Sequence, residues 1–298
     1  MKIMITPCAL LLGGSLLFAG LLSAAGFEGG RPTHPLFMAG SGYYALLNTD
    51  GSVLRRWNGG NTTDGWLMPN GHMLAADSGV WETDAAGKRV WGYASKDTTG
   101  GATFAAQRLP NGNTLIGENS TGRILEVTPN GETVNVIEVP LNKANRHQTL
   151  RMVRRYPDGV TLVCRSGFNM VEVYGPDRTL QRTLKVPGLA FAALRAPDGS
   201  IYVTSLNKIT RFAPDGNVLW VFDACKSGRP IVNMTLMHLL PNGNLIVGCY
   251  GYNPQKQIGI FEVTPDKKIL WAYRTPNRGR DSHMSVQLMD PAINNLLR

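Results

Sequence analysis

One turn phrase recurs along this chain and limits what it can fold into. Leu67-Met68-Pro69-Asn70-Gly71, Arg108-Leu109-Pro110-Asn111-Gly112, Arg155-Tyr156-Pro157-Asp158-Gly159, Arg195-Ala196-Pro197-Asp198-Gly199 and Leu239-Leu240-Pro241-Asn242-Gly243 set their prolines 41, 47, 40 and 44 residues apart. Proline presets φ for the first central turn position, Asn or Asp tolerates the next, and glycine supplies a positive φ. A second turn falls within each interval, as in Pro129-Asn130-Gly131, Pro176-Asp177-Arg178, Pro214-Asp215-Gly216 and Pro265-Asp266-Lys267. Short β-rich runs flank every turn, so each interval reads as four antiparallel strands, A to D, with tight A–B and C–D hairpins. Four strands per period of about 40 to 45 residues is the pattern of a β-propeller blade.

Complete units fall at about 63–95, 102–139, 148–186, 190–223 and 234–274. The remainder is split between the ends: 36–58 predicts strands B, C and D without an A, and 284–289 predicts a lone A strand. Pairing the two ends in one blade removes free sheet edges. The expectation is an all-β, six-bladed propeller closed by N- and C-terminal strands, a single domain over 26–298.

Composition narrows the class. With 298 residues, 43% apolar and 17% charged, the chain can bury a substantial core and is not a disordered protein. The formal charge of +9 comes without a dense Lys/Arg run, which argues against a nucleic-acid partner. Lys2, the apolar stretch to Leu22 and the small residues Ser23-Ala24-Ala25 predict a signal peptide over 1–25, and hence a periplasmic or secreted protein. No later stretch is long and apolar enough to span a bilayer, and a monomer is expected. Cys164 and Cys249 sit in apolar strand-like runs and read as core thiols.

Trp81-Glu82-Thr83-Asp84-Ala85-Ala86-Gly87-Lys88-Arg89-Val90-Trp91, and the runs ending in Trp220 and Trp271, resemble the tryptophan-docking repeats of pyrroloquinoline-quinone-like (PQQ-like) propellers of exported bacterial type. The resemblance covers nearly all of 26–298 and implies that Trp57, Trp91, Trp220 and Trp271 dock one blade on the next. Quinone-dependent members carry a vicinal Cys-Cys pair and typically eight blades. This chain has no such pair and too few blades, so no cofactor is expected and no metal-ligand spacing is found.

Propellers place ligands at the mouth of the central channel, which the A strands line. Three residues before each turn proline stand Trp66, Gln107, Arg154, Leu194 and His238, with Gln287 in the closing blade. Strand alternation puts this set on one face, as a ligand ring or as a water-bound lining. The upper rim, built by D–A and B–C loops, counts ten basic side chains, among them Lys143, Arg146, Arg165, Lys208, Arg229 and Arg278, against Asp64, Asp77, Asp97, Glu118 and Asp281. Such a mouth attracts an acidic ligand, and arginine grips carboxylate or sulfate in bidentate fashion.

His147 and His283 precede A strands, and Tyr250 and Tyr252 share the long loop Tyr250-Gly251-Tyr252-Asn253-Pro254. Histidine beside tyrosine suits acid–base work, so His147, His283 and Tyr250 are the catalytic candidates. Arg154, Arg165, His238, Gln107, Gln287, Glu118, Asp77 and Tyr252 are the ligand-binding ones. The leading expectation is an exported binding or scaffold module for a glycan, another acidic small molecule or a protein partner at the mouth. The alternatives are a carbohydrate-active lyase or hydrolase, and an envelope assembly scaffold.

Overall fold

The computed structural model describes residues 26–277 and 279–290. The predicted signal peptide, Arg278 and residues 291–298 lie outside the described residues. β1 (Gly26–Glu28), β2 (Leu36–Leu47) and β3 (Val53–Asn61) open the chain. Blade one holds β4 (Asp64–Leu67), β5 (Met73–Ala76), β6 (Gly79–Thr83) and β7 (Arg89–Ala94). Blade two holds β8 (Thr103–Arg108), β9 (Thr114–Glu118), β10 (Arg123–Val127) and β11 (Thr133–Glu138). β12 (Val153–Arg155), β13 (Thr161–Arg165), β14 (Met170–Tyr174) and β15 (Leu180–Lys185) form blade three. β16 (Ala190–Arg195), β17 (Ile201–Ser205), β18 (Lys208–Phe212) and β19 (Val218–Asp223) form blade four. Blade five follows with β20 (Met234–Leu239), β21 (Leu245–Cys249), β22 (Ile260–Val263) and β23 (Ile269–Arg274), and β24 (His283–Leu288) ends the series.

These strands make six antiparallel sheets, a six-bladed propeller. The hairpins form for the expected reason: Gly71, Gly112, Gly159, Gly199 and Gly243 all hold φ between 80° and 85°. Closure is as expected, with β24 pairing β2 so that Met38 faces Val286 and Leu36 faces Leu288. The strand count in the closing blade is as expected too. Residues 36–58 supply three strands, because the run Leu36–Leu47 doubles back at Gly40-Ser41-Gly42, where Gly42 holds φ at 83°, and stacks the Phe37 ring on Tyr44 at 6.2 Å. The closing sheet therefore runs from β24 through the two arms of β2 to β3. β1 instead extends blade five on its outer edge, pairing Phe27 with Tyr273.

The core lies between blades. Each of six apolar clusters joins two neighbours, such as Phe222 of blade four with Phe261 of blade five, and Trp271 of blade five with Leu36 and Leu47 of the closing blade. Trp220 donates its indole N–H to the Pro265 carbonyl of the next blade at 2.7 Å, and Trp91 lies under Arg108 of the next. Cys164 and Cys249 are buried free thiols, with burial pushing the Cys249 pKa up to about 12. Among the described residues no helix is long and apolar enough to cross a membrane.

Candidate functional site

The A-strand ring exists, but its side chains stitch blades together. The Gln287 carboxamide accepts from Leu67 N–H at 3.1 Å and donates to Leu67 C=O at 3.2 Å, joining the closing blade to blade one. Trp66 donates to the Ala106 carbonyl at 2.9 Å, joining blades one and two. Gln107 exchanges two 2.8 Å bonds with the Arg155 backbone, joining blades two and three. His238 Nδ1 accepts from Leu288 N–H at 3.0 Å, joining blade five to the closing blade. Buried backbone groups left without ladder partners cost about 1–3 kcal/mol each, which gives these polar residues a structural task.

Several other candidates are withdrawn into the protein for the same physical reason, since a buried charge or polar group must be paired. Arg154 forms a bidentate pair with Asp64 at 2.6 and 2.8 Å. Arg165, 1% exposed, bonds Glu172 at 2.7 Å and the carbonyls of Thr149 and Pro140. Glu118 is enclosed by Tyr93, Ser95, Thr121 and Arg123, and these hydrogen bonds outweigh burial to hold its carboxyl below the usual range. Asp77 lies outside the channel, where it accepts from the Trp81 indole at 2.9 Å. His283 and Tyr252 are fully buried and bond each other, Nε2 to hydroxyl, at 2.7 Å. Burial pushes His283 and His238 down to a pKa of about 4. All of these side chains but the half-buried Asp77 are enclosed by the protein. Much of the rim charge is also internally matched: Arg146 lies 3.7 Å from Asp97, Lys208 lies 3.5 Å from Asp223, and Arg229 pairs with Glu28.

His147 and Tyr250 do converge. They line a cavity of about 210 Å³ at the upper mouth with Thr63, Arg151, Phe191 and Met284. Its centre is Arg151, which the ring alignment passed over. The guanidinium lies 4.4 Å from the Phe104 ring and 5.5 Å from Phe191, a cation–π clamp. No carboxylate among the described residues pairs with it, and its Nε is buried without a hydrogen-bond partner. Burial pushes the Arg151 pKa down to about 10, which leaves it cationic at neutral pH. Tyr250 packs on Phe191 at 5.2 Å, and His147 stands edge-on to Phe104 at 5.0 Å.

The signal for Arg151 was present in the same alignment. Six residues before the turn proline stand Thr63, Phe104, Arg151, Phe191 and Thr235, with Met284 in the closing blade. Strict alternation puts this set on the face opposite Gln107 and Gln287. The register, however, slips between Thr103 and Ala105, between Ala190 and Ala192, and between Met234 and Met237. A bulge adds one residue and re-aims the side chain, and so the second ring faces the channel as well.

His147 belongs to a 3-10 turn, Arg146–Gln148, and its Nδ1 lies 3.0 Å from the Gly100 carbonyl. A carbonyl only accepts, so Nδ1 carries the proton and Nε2 of the neutral ring holds a lone pair. Desolvation and then the Arg151 charge lower the His147 pKa, which favours that neutral form. A larger cavity, about 680 Å³, opens at the A–B hairpin end beside Trp66, Met68, Leu109 and Gln287. Its charges, Glu82 with His72 and Arg108, are already paired. The unmatched cation marks the upper mouth.

No family model matches the chain, and no curated protein matches it. Solved structures do. A protein of unknown function from Bacteroides caccae aligns at 19% identity and a TM-score of 0.70, covering 84% of this chain and 94% of that one. A catalytically inactive histidine-to-alanine virginiamycin B lyase from Staphylococcus aureus, with quinupristin, aligns at 14% identity and a TM-score of 0.58, covering 84% and 88%. The WD40 propeller domain of Doa1 aligns at 12% identity and a TM-score of 0.57, covering 72% of each chain. At these identities the likeness is one of fold, that of a β-propeller.

Proposed function

We propose that this protein is an exported binding propeller whose upper channel mouth takes a ligand bearing a carboxylate or sulfate, with acidic glycans as the class that fits best. Arg151 carries the reading: a cation held between two aromatic rings, facing a cavity, with no anion of its own. An anion entering there gains a charge-assisted bond at a site already partly desolvated. Phe191 and Tyr250 offer ring faces on which a sugar can stack. The tryptophan positions remain in keeping with a PQQ-like repeat, and the small residues before Gly26 with export.

A second reading, a lyase acting on the same ligand class, is favoured by the His147 tautomer. Nε2 is placed as a base to take the proton from the carbon beside a carboxylate held by Arg151; as the C=C forms the β C–O bond breaks, and the Tyr250 hydroxyl, which lines the same cavity, would give the leaving oxygen its proton. A lyase among the propellers of similar shape supports it.

The test is a glycan-array screen with product analysis on the wild type, Arg151→Gln and His147→Ala. Uronate or sulfated glycans should bind with marked salt sensitivity, and Arg151→Gln should weaken binding by about tenfold or more. Binding that ignores ligand charge, or that survives Arg151→Gln intact, sinks the binding reading. Product that disappears in His147→Ala while binding persists establishes the lyase.

A further inference from the structure

We propose that the outer cleft between the closing blade and blade one is a second ligand site, for an uncharged sugar, independent of the charged channel mouth. This junction differs from its counterpart in the repeat. Between blades four and five, the docking residue Trp220 donates its indole N–H to the Pro265 carbonyl, and the space left beside it is only about 20 Å³. Ala85 holds the same turn position as Pro265, since Gly87 N–H bonds the Asp84 carbonyl just as Lys267 N–H bonds that of Thr264. Here, however, Arg55 rather than Trp57 donates to the Ala85 carbonyl. The Trp57 indole N–H is left buried without an acceptor, and the ring borders a cavity of about 490 Å³. That volume lies within the range of about 300–1,000 Å³ usual for small-ligand sites.

The polar groups of the wall specify the occupant. Asp77 Oδ1 accepts from the Ser78 hydroxyl, the Gly79 N–H and the Trp81 indole, while no hydrogen bond among the described residues reaches Oδ2. Gly60 keeps that oxygen uncrowded, because a Cβ there would stand 2.5 Å from it. Arg89 lies 4.0 Å over the Trp81 ring, which holds its guanidinium in the cleft, and no carboxylate among the described residues pairs with it. A full anion would meet Asp77 and a full cation would meet Arg89, so the wall selects against net charge. A hydroxyl both donates and accepts, so one polyhydroxylated ligand can serve the carboxylate oxygen, the guanidinium and the indole N–H. Tyr44, Met73 and Ala75, all buried, line the same cavity and give the C–H face of a sugar ring an apolar floor.

The probes are the neutral disaccharides maltose, cellobiose, lactose and diacetylchitobiose, read by saturation-transfer NMR on the full chain. At least one should receive saturation, with an affinity that added salt leaves unchanged. Asp77→Asn, which keeps Oδ1 and turns the free oxygen into a donor, should weaken binding by about tenfold. Ala86→Phe should abolish it, because this exposed turn residue lines the cavity and a ring there fills the cleft without disturbing the buried wall. Arg151→Gln should leave binding intact, which separates this site from the channel mouth, and the zwitterion glycine should not compete. The proposal is overturned if none of the four sugars binds, if binding survives Ala86→Phe in a folded protein, if it falls with Arg151→Gln, or if glycine displaces the sugar.

Discussion

Arg154 of blade three reaches across to Asp64 of blade one, its Nη1 and Nη2 standing 2.6 and 2.8 Å from the two carboxylate oxygens. Both side chains are almost fully buried, and the guanidinium also lies 4.6 Å over the Trp66 ring. Along the A strands the pair lies between the Arg151 cavity and the Trp66 cavity. It is a strut across the ring, and it explains why an arginine in the channel wall is not available to a ligand. Removing one partner strands the other. Asp64→Asn or Arg154→Met alone should cost about 3–5 kcal/mol in urea unfolding, while Asp64→Leu with Arg154→Met should recover most of it.

Arg151 predicts the reverse balance. Its cation has no anionic partner to lose. Arg151→Met should therefore leave the unfolding midpoint unchanged or raised, while abolishing salt-sensitive ligand binding. A fall of about 2 kcal/mol or more in stability would mean that the clamp between Phe104 and Phe191 is chiefly a packing device.

Acid should destabilise the fold before its carboxylates titrate. Burial lowers the His238 and His283 pKa from 6.5 to about 4. Between these values the unfolded chain binds protons that the native state refuses, so stability is present above pH 6.5 and is lost as pH falls toward 4. Each histidine should contribute a slope of about 1.4 kcal/mol per pH unit in that window. Urea midpoints measured from pH 7 to pH 4 check this, and His238→Gln should flatten the curve by its own share.

Two C–D turns are strained, those of Arg178, with φ at 67°, and Lys267. Lys267 holds φ at 66° in a C–D hairpin, where the equivalent Gly216 holds 93°. A side chain in the left-handed region is held there at a cost that glycine avoids. Lys267→Gly should raise stability by about 0.5–1 kcal/mol, read as an increased melting temperature with binding unaffected.

The candidate site shows where reading one strand at a time stops. His147 and Tyr250 were placed by loop position alone, and they meet at the upper mouth. His283, one residue from its expected loop, starts the strand instead and is sealed against Tyr252. Arg165 and Glu118 were read as rim charges, yet each closes a strand end inside its own blade with local partners, Glu172 and Arg123 respectively. Whether a charge is paired depends on what lies across a sheet or a blade junction, and a linear pattern does not carry that information.

By itself, the sequence determined the repeating architecture. Turn residues act through backbone φ preferences that are local, so their spacing counted the blades, and the unmatched strands at the two ends implied closure. The tertiary structure alone decided which polar residues are occupied. It moved β1 onto blade five, because strand partners are chosen by sheet packing. Through bulges at the tops of β8 and β16 it also turned Phe104 and Phe191 toward the channel beside Arg151, where alternation had pointed them away.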